Sequence, residues 1–165
     1  MNWIKSIVNL IKYLFYLCFV SFIIIEIVFR ILPVSDSYKV QPINKKNPNY
    51  HFAKNREVTK QIGFNFKHVN SKKINNYGFF SDEDYLKNDS RKQNLVAVIG
   101  DSYVQASQVK NSDAFPSILN QIIENFTVYS FGAGGAPLSQ YLAWSDYVNN
   151  EFNPDIFVFL IIAND

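Results

Sequence analysis

A small residue, an acid and a hydroxyl follow directly after a short apolar run, and this tripeptide is the part of the sequence best suited to chemistry. The apolar run covers residues 95–99, and the tripeptide is Gly100-Asp101-Ser102. A run of this length is typical of a strand covered on both faces of a parallel sheet. Open α/β sheets place their ligand sites at the carboxyl ends of the strands. The sequence therefore predicts that Ser102 lies at an exposed strand-to-helix turn.

The rest of the C-terminal half alternates predicted strands with predicted helices. Apolar runs at residues 127–131 and 156–162 predict a second and a third strand. Helical spacing predicts one helix that Asp113 caps and another over residues 138–148. Alternating strands and helices imply crossover connections and a parallel sheet, so we predict an α/β fold class.

The second and third predicted strands also end in loops that suit a site. The second runs into Gly132-Ala133-Gly134-Gly135, and the third runs into Ala163-Asn164-Asp165. The carboxyl ends of parallel strands share one edge of the sheet, so we expect both loops to lie near Gly100-Asp101-Ser102.

These three loops, in their order and spacing, resemble the sequence blocks of the SGNH (GDSL-type) hydrolase family. The first block corresponds to residues 98–103. The glycine of the second block corresponds best to Gly135, with Gly134 next. Asn164-Asp165 is similar to the third block, although Ile162 stands where that block has a glycine, and residues 153–158 resemble its lead-in. The resemblance covers about residues 76–165 and implies a partial, flavodoxin-like three-layer α/β domain with a parallel sheet.

The resemblance also implies a reaction. In this family a serine attacks an ester carbonyl and forms an acyl-enzyme. Ser102 would be the nucleophile, and its backbone N–H, the backbone N–H of Gly135 and the side-chain amide of Asn164 would stabilise the oxyanion. Asp101 would order the turn by accepting backbone N–H bonds. An N-terminal anchor ahead of such a domain resembles the envelope-associated branch, which acts as an esterase or O-acyltransferase on acylated cell-surface glycans.

A serine nucleophile needs a base, and the sequence does not offer one in the family's position. The family's Asp-x-x-His block follows further strands, whereas this sequence stops at Asp165. His51 and His68 both precede Ser102 and cannot be assigned to that block. We therefore expect a truncated hydrolase, the N-terminal part of a longer protein, that is inactive or nearly so by itself.

The N-terminal residues predict a membrane anchor. Residues 13–25 carry no charge, and Lys12 lies at one end of the apolar run, with Glu26 and Arg30 at the other. About 20 such residues cross the hydrocarbon of a bilayer as a helix. A cleaved signal peptide is the main alternative, but no small-x-small cleavage site follows the run. We expect a single-pass anchor over residues 1–33. The charges on its two flanks do not indicate which flank lies in the cytoplasm, so only the resemblance places the C-terminal domain outside the cytoplasm.

Residues 34–91 are polar and mostly basic, and we interpret them as a solvated connector between the anchor and an α/β domain over residues 92–165. Within this connector, residues 75–78 (Asn-Asn-Tyr-Gly) predict a turn. His51 and His68 lack Cys, Asp or Glu at metal-ligand spacing, so we interpret both as surface histidines. A basic face toward anionic lipid or an anionic envelope polymer is the alternative for this segment.

Composition narrows the range of functions. The formal net charge of +2 is too small to indicate nucleic acid as the partner. The single cysteine, Cys18, cannot form a disulfide within the chain. We expect no cofactor and no metal; the expected partners are the membrane bilayer and an acylated cell-surface glycan. Two alternatives stay open: a non-catalytic glycan-binding or accessory protein with the same fold, and a nucleotide-binding domain, which the glycine spacing in residues 132–135 fits poorly.

Overall fold

A computed structural model describes residues 2–32, 34–45, 47–63 and 65–162. The chain forms two compact units, Met1–Val34 and Ser35–Asp165. In the first unit, helix α1 (Asn2–Ile31) is mostly apolar and carries the ion pair between Arg30 and Glu26 at 2.8 Å near its C-terminal end. Its segment Trp3–Ile31 includes an 18-residue stretch with a mean hydropathy of 2.3 and is long and apolar enough to cross a membrane, a criterion that a signal sequence also meets. The prediction of an apolar N-terminal helix is confirmed.

The second unit contains a three-stranded parallel sheet with strand order β4-β3-β5. Its strands are β3 (Asn94–Gly100), β4 (Phe126–Gly132) and β5 (Ile156–Leu160). The central strand β3 pairs Gly100 with Gly132 on one side and with Leu160 on the other. All three strands therefore end at the same edge of the sheet, and the predicted α/β class agrees with this arrangement.

Alternate residues of β3 face two separate cores, as the period of two in a strand requires. Leu95, Ala97 and Ile99 belong to the larger core, which includes Trp144 of helix α4 (Leu138–Phe152). Val96 and Val98 belong to the smaller core on the opposite face. There they pack with residues from helix α2 (Ser102–Gln105) and from the end of helix α3 (Phe115–Ile122). Helices therefore cover both faces of the sheet, which explains why β3 is apolar at every inner position.

Residues 35–91 differ from the connector that the sequence suggested. They contain an antiparallel hairpin of β1 (Arg56–Ile62) and β2 (His68–Ile74), and they belong to the same compact unit as residues 92–165. Val58 and Ile74 of this hairpin are buried in the larger core. The polar composition concealed this because the apolar residues of the segment follow no helical or strand period, although six of them are buried in the core: Phe52, Val58, Ile74, Phe79, Phe80 and Tyr85.

The same segment covers one edge of the sheet. The hydroxyl of Tyr85 donates to the carbonyl of Ser130 at 3.0 Å and accepts from the N–H of Ser130 at 2.8 Å, so it satisfies both backbone groups of that edge residue. The rings of Tyr85 and Tyr129 stack with centroids 3.9 Å apart. These contacts satisfy the backbone of the β4 edge at Ser130, which would otherwise offer unpaired groups to another chain.

Several element boundaries differ from the predictions by a few residues. Asp113 lies in a short 3-10 helix, and α3 begins after Ala114, which is its N-cap. Strand β5 ends at Leu160, two residues earlier than expected. The predicted turn over residues 75–78 is confirmed: the side-chain carbonyl of Asn75 accepts the N–H groups of Tyr77 and Phe79, and Gly78 takes the positive φ of 85° that this turn needs.

Candidate active site

Ser102 follows the carboxyl end of β3 and begins α2, as the sequence predicted. The carboxylate of Asp101 is buried and acts as the N-cap, since its Oδ1 accepts the N–H of Tyr103 at 2.9 Å. Its Oδ2 accepts the hydroxyl hydrogen of Ser102 at 3.3 Å. Asp101 therefore both orders the turn and orients the hydroxyl of the serine.

Helix α2 lies directly against the ends of two strands because glycines leave room for it. A Cβ on Gly100 would overlap the side chain of Val104, and a Cβ on Gly132 would lie 2.8 Å from both the Cβ of Val104 and the N of Gln105. Neither position tolerates a side chain without displacing the helix. Gly100 and Gly132 therefore allow α2, and with it Ser102, to lie close against the ends of β3 and β4.

Gln105 connects the serine turn to the glycine-rich loop that follows β4. It is buried, and its Oε1 accepts the N–H of Gly134 at 2.5 Å. Its own N–H donates to the carbonyl of Asp101 at 3.0 Å. The two loops that resemble the first and second family blocks are thus held together by one amide side chain.

A buried lysine from the hairpin supports the same helix from its C-terminal end. The Nζ of Lys72 donates to the carbonyls of Gln105 at 3.2 Å and of Ala106 at 2.6 Å. Ala106 is the C-cap in the left-handed region with φ 48°, so the carbonyls of this turn lack the partners that a longer helix would supply. Burial lowers the pKa of Lys72 to about 8, against a smaller opposing effect of Asp82.

Two backbone N–H groups near Ser102 have no acceptor within the described part of the chain: that of Ser102 itself and that of Gly135. The N–H of Gly134, by contrast, is engaged by Gln105. Gly135 has φ 75°, and a Cβ built on it would meet no atom within 4 Å, so this stretch of backbone faces open space. A Cβ on Gly134 would lie 3.8 Å from the Cβ of Ser102, which places the glycine-rich loop beside the serine.

Two depressions lie along this edge. One has a volume of about 370 Å³ and is lined by Ser102, Tyr103, Ala106, Gln108 and Val109. The other is smaller, about 170 Å³, and borders the glycine-rich loop. It is lined by Tyr50, Gln140 and the stretch from Ala133 to Pro137. A larger depression of about 410 Å³, lined in part by Arg91 and Thr127, adjoins the starts of β3 and β4, away from the serine.

Of the four site residues that the sequence suggested, Asp101 and Ser102 lie in one turn, and Gly135 belongs to the loop whose Gly134 lies beside Ser102. The fourth, Asn164, lies outside the described residues, as do its neighbours Ala163 and Asp165. Among the described residues no group of three or more His, Cys, Asp or Glu side chains suits a metal ion.

Neither histidine hydrogen-bonds to Ser102. His51 is buried, contrary to the surface position expected for it, and its Nδ1 lies 3.1 Å from the carbonyl oxygen of Asn49. Burial lowers its pKa and so favours the neutral imidazole. His68 is exposed at the start of β2, as expected.

Sequence reasoning missed four residues that shape this edge: Lys72, Gln105, Tyr50 and Gln140. Gln105 carried a weak signal, since it stands three residues after Ser102 and so lies on the same face of the predicted helix. The other three carried none, because Lys72 and Tyr50 belong to the segment interpreted as a connector and Gln140 looks like any exposed polar residue near the start of a helix.

Comparison with known proteins adds no identification. No protein-family model matches the chain, and neither a curated protein nor a solved structure is found to be similar to it. The function must therefore be inferred from the geometry of the β3 edge.

Proposed function

We propose that this protein is an SGNH-type ester hydrolase or O-acyltransferase with a flavodoxin-like α/β domain. Ser102 is its nucleophile, and the substrate is an acyl ester of a cell-surface glycan. The observation that carries the proposal is a serine hydroxyl at the edge of a parallel sheet, beside a glycine-rich loop, where the backbone N–H groups of Ser102 and Gly135 have no acceptor among the described residues. Such donors stabilise an oxyanion because they are already in place when the charge develops.

The chemistry follows from the positions of these groups. The Oγ of Ser102 forms a bond to the ester carbonyl carbon, the bond from that carbon to the alcohol oxygen breaks, and the serine proton passes through solvent to the departing alcohol, so that the acyl group remains on the serine. Asp101 holds the hydroxyl in place through its Oδ2. In this proposal Asn164, which lies outside the described residues, would be the third donor for the oxyanion. Gln105 keeps the glycine-rich loop beside the serine, because its Oε1 accepts the N–H of Gly134.

A membrane location of this activity is part of the proposal. The helix α1 is long and apolar enough to span a bilayer. A single-pass anchor would keep the α/β domain at the membrane surface, and we place that domain on the extracytoplasmic side, where acylated envelope glycans are found. The bilayer and the glycan are the partners that this arrangement needs.

A second candidate is a non-catalytic glycan-binding protein with the same fold, and one observation favours it. The hydroxyl of Ser102 donates to Asp101, whereas neither His51 nor His68 hydrogen-bonds to the serine. A serine without a histidine partner reacts slowly. We therefore expect the 165-residue chain to become acylated by an activated ester, without rapid turnover.

The experiment uses the purified full-length chain and p-nitrophenyl acetate. We expect a mass increase of one acetyl group, which peptide mapping assigns to Ser102, and we expect Ser102→Ala to lose it. Ser112, which is exposed and hydrogen-bonds to Asp113, provides the matched control, since Ser112→Ala is expected to acetylate like the unmodified chain. Acetylation that is unchanged in Ser102→Ala would remove the serine from the reaction and leave the binding role as the better explanation.

A further inference from the structure

The turn of the β1–β2 hairpin, residues 62–69, is basic, and we call it the hairpin tip. The stretch 58–81, which includes the tip, contains no Asp or Glu. Lys67 is exposed within the tip. Lys60 lies just before it and is half-buried, with its Nζ 5.8 Å from the centroid of the Tyr38 ring. An anion at the tip would therefore meet two lysines.

The other two lysines of the hairpin are engaged elsewhere. Lys72 is buried against the end of α2, and the Nζ of Lys73 pairs with a carboxylate oxygen of Asp84 at 3.1 Å. Asp36 offsets part of the charge of the tip, since its Oδ2 accepts the N–H of Thr59 at 2.7 Å, next to Lys60. The tip therefore keeps a small positive charge, which favours anionic over neutral surfaces.

Apolar side chains accompany the lysines at the tip. Val69 is 39% exposed, and Ile62 and Phe66 are half-buried. Phe66 takes a positive φ of 52°, a conformation that glycine or asparagine adopts at lower cost, so the turn itself does not require an aromatic residue. Lysine combined with phenylalanine and branched apolar residues suits the boundary between lipid headgroups and acyl chains.

The chain enters the second unit at the tip end of the hairpin. Ser35 is the first residue of that unit, and its Oγ accepts the N–H of Gln61 at 2.8 Å and donates to the carbonyl of Gln61 at 3.3 Å. Gln61 directly precedes the tip. Helix α1 ends at Ile31, four residues before Ser35, a length that spans at most about 14 Å. This end of the hairpin is therefore tethered closely to any bilayer that holds α1.

We propose that the hairpin tip binds the headgroups of anionic phospholipids and so orients the second unit on the membrane surface. The contact is weak by itself. Because α1 already holds the chain at the bilayer, the effective concentration of lipid at the tip is high, and two lysines with a few apolar side chains suffice to favour one orientation. The inference rests on the membrane location in the proposed function and does not depend on the chemistry of the serine.

The test places the full-length chain in lipid nanodiscs and measures how close the tip comes to the headgroups. A fluorophore is attached to Asn65→Cys in a Cys18→Ser background, and Lys92→Cys, exposed ahead of β3, is the control position. The discs contain phosphatidylcholine with or without phosphatidylglycerol, and a trace of lipid with a quenching nitroxide on its headgroup. With phosphatidylglycerol we expect quenching at residue 65 to exceed that at residue 92 about threefold, and to fall in phosphatidylcholine alone.

Lysine variants test the recognition of charge. Lys60→Gln/Lys67→Gln should lower the quenching at residue 65 about threefold in discs with phosphatidylglycerol. Lys54→Gln/Lys110→Gln is the matched control, because Lys54 also lies over a tyrosine ring, with its Nζ 5.5 Å from the centroid, and Lys110 is exposed. The control should leave the quenching unchanged.

Phe66→Asn tests the aromatic side chain without disturbing the turn. Asparagine accepts the positive φ of this position, so the variant should unfold at no lower temperature than the unmodified chain. It should still lower the quenching at residue 65 about twofold, because it removes apolar surface from the tip.

The outcomes separate this inference from the proposed function. Equal quenching in both kinds of disc, or an unchanged signal in Lys60→Gln/Lys67→Gln, would overturn the recognition of anionic lipid. No quenching at residue 65 in either disc would also overturn it and leave an anionic envelope polymer as the better partner for these lysines. A chain that does not enter the discs would contradict the membrane location as well, whereas acylation of Ser102 is measured separately and is decided by neither result.

Discussion

Lys72 shows how much one residue contributes to the serine turn. Its Nζ is buried and makes its two hydrogen bonds to backbone carbonyls of the residues that end α2. The carboxylate of Asp82 favours the cation, while burial disfavours it more strongly. The lysine therefore holds the end of α2 at the cost of keeping a cation out of water, and a neutral amine could make the same two hydrogen bonds.

The depressed pKa of Lys72 predicts a pH dependence of folding. Because the pKa falls from 10.5 to about 8 on folding, the unfolded chain binds more protons between these two values, and stability rises with pH across that window. Between pH 7.5 and 9.5 we expect the free energy of unfolding to rise by about 2 kcal/mol relative to Lys72→Met. Urea denaturation of the unmodified chain and of Lys72→Met measures this difference. The tyrosines titrate in both proteins alike, so their contribution cancels in the comparison. A pH-independent difference would contradict the prediction.

At the scale of elements, the site depends on how closely α2 approaches the sheet. The helix has only four residues, so it gains little stability from its own hydrogen bonds. Its position comes from Asp101 at one end, Lys72 at the other, and Val104 packed onto the glycine ends of β3 and β4. Tertiary contacts, rather than helix propensity, therefore determine the orientation of Ser102.

Substitution of the two nearby glycines tests this packing. Gly132→Ala places a methyl group against Val104 and the backbone of Gln105, and we expect it to destabilise the protein by about 1–3 kcal/mol. Gly134→Ala meets only the Oε1 of Gln105 at 3.1 Å and ordinary contacts, so its cost should stay below about 1 kcal/mol. Thermal unfolding followed by circular dichroism compares them. Equal losses for the two variants would mean that α2 adapts to a side chain at Gly132.

At the scale of the whole molecule, the compact unit begins well before the predicted α/β domain. Ser35 and Asp36 already bind the hairpin, since their side chains accept the N–H groups of Gln61 at 2.8 Å and Thr59 at 2.7 Å. The larger core combines residues from the hairpin segment with residues from the sheet and from α4. A polypeptide cut at residue 92 would lose one side of that core and the cover of the β4 edge.

Two fragments test where the unit begins. We expect residues 35–165 to fold by themselves, with a cooperative thermal transition, because Met1–Val34 is a separate unit. Residues 92–165 should show no cooperative transition and should aggregate, since apolar faces of β3 and α4 and the β4 edge become exposed. Circular dichroism and sedimentation compare the two. A folded, monomeric 92–165 fragment would restore residues 34–91 to the role of a connector.

The sequence by itself determined the elements whose signal is local. Continuous apolar runs marked the strands of the parallel sheet, the uncharged N-terminal stretch marked α1, and Asn75 with Gly78 marked a turn, because each signal lies within a few consecutive residues. Gly100-Asp101-Ser102 was placed correctly at a strand end for the same reason. Only the tertiary structure decided what lies next to that tripeptide. Lys72, Tyr50 and Gln140 reach the serine edge through contacts between distant segments, and polar residues of that kind leave no periodic pattern that a sequence can show.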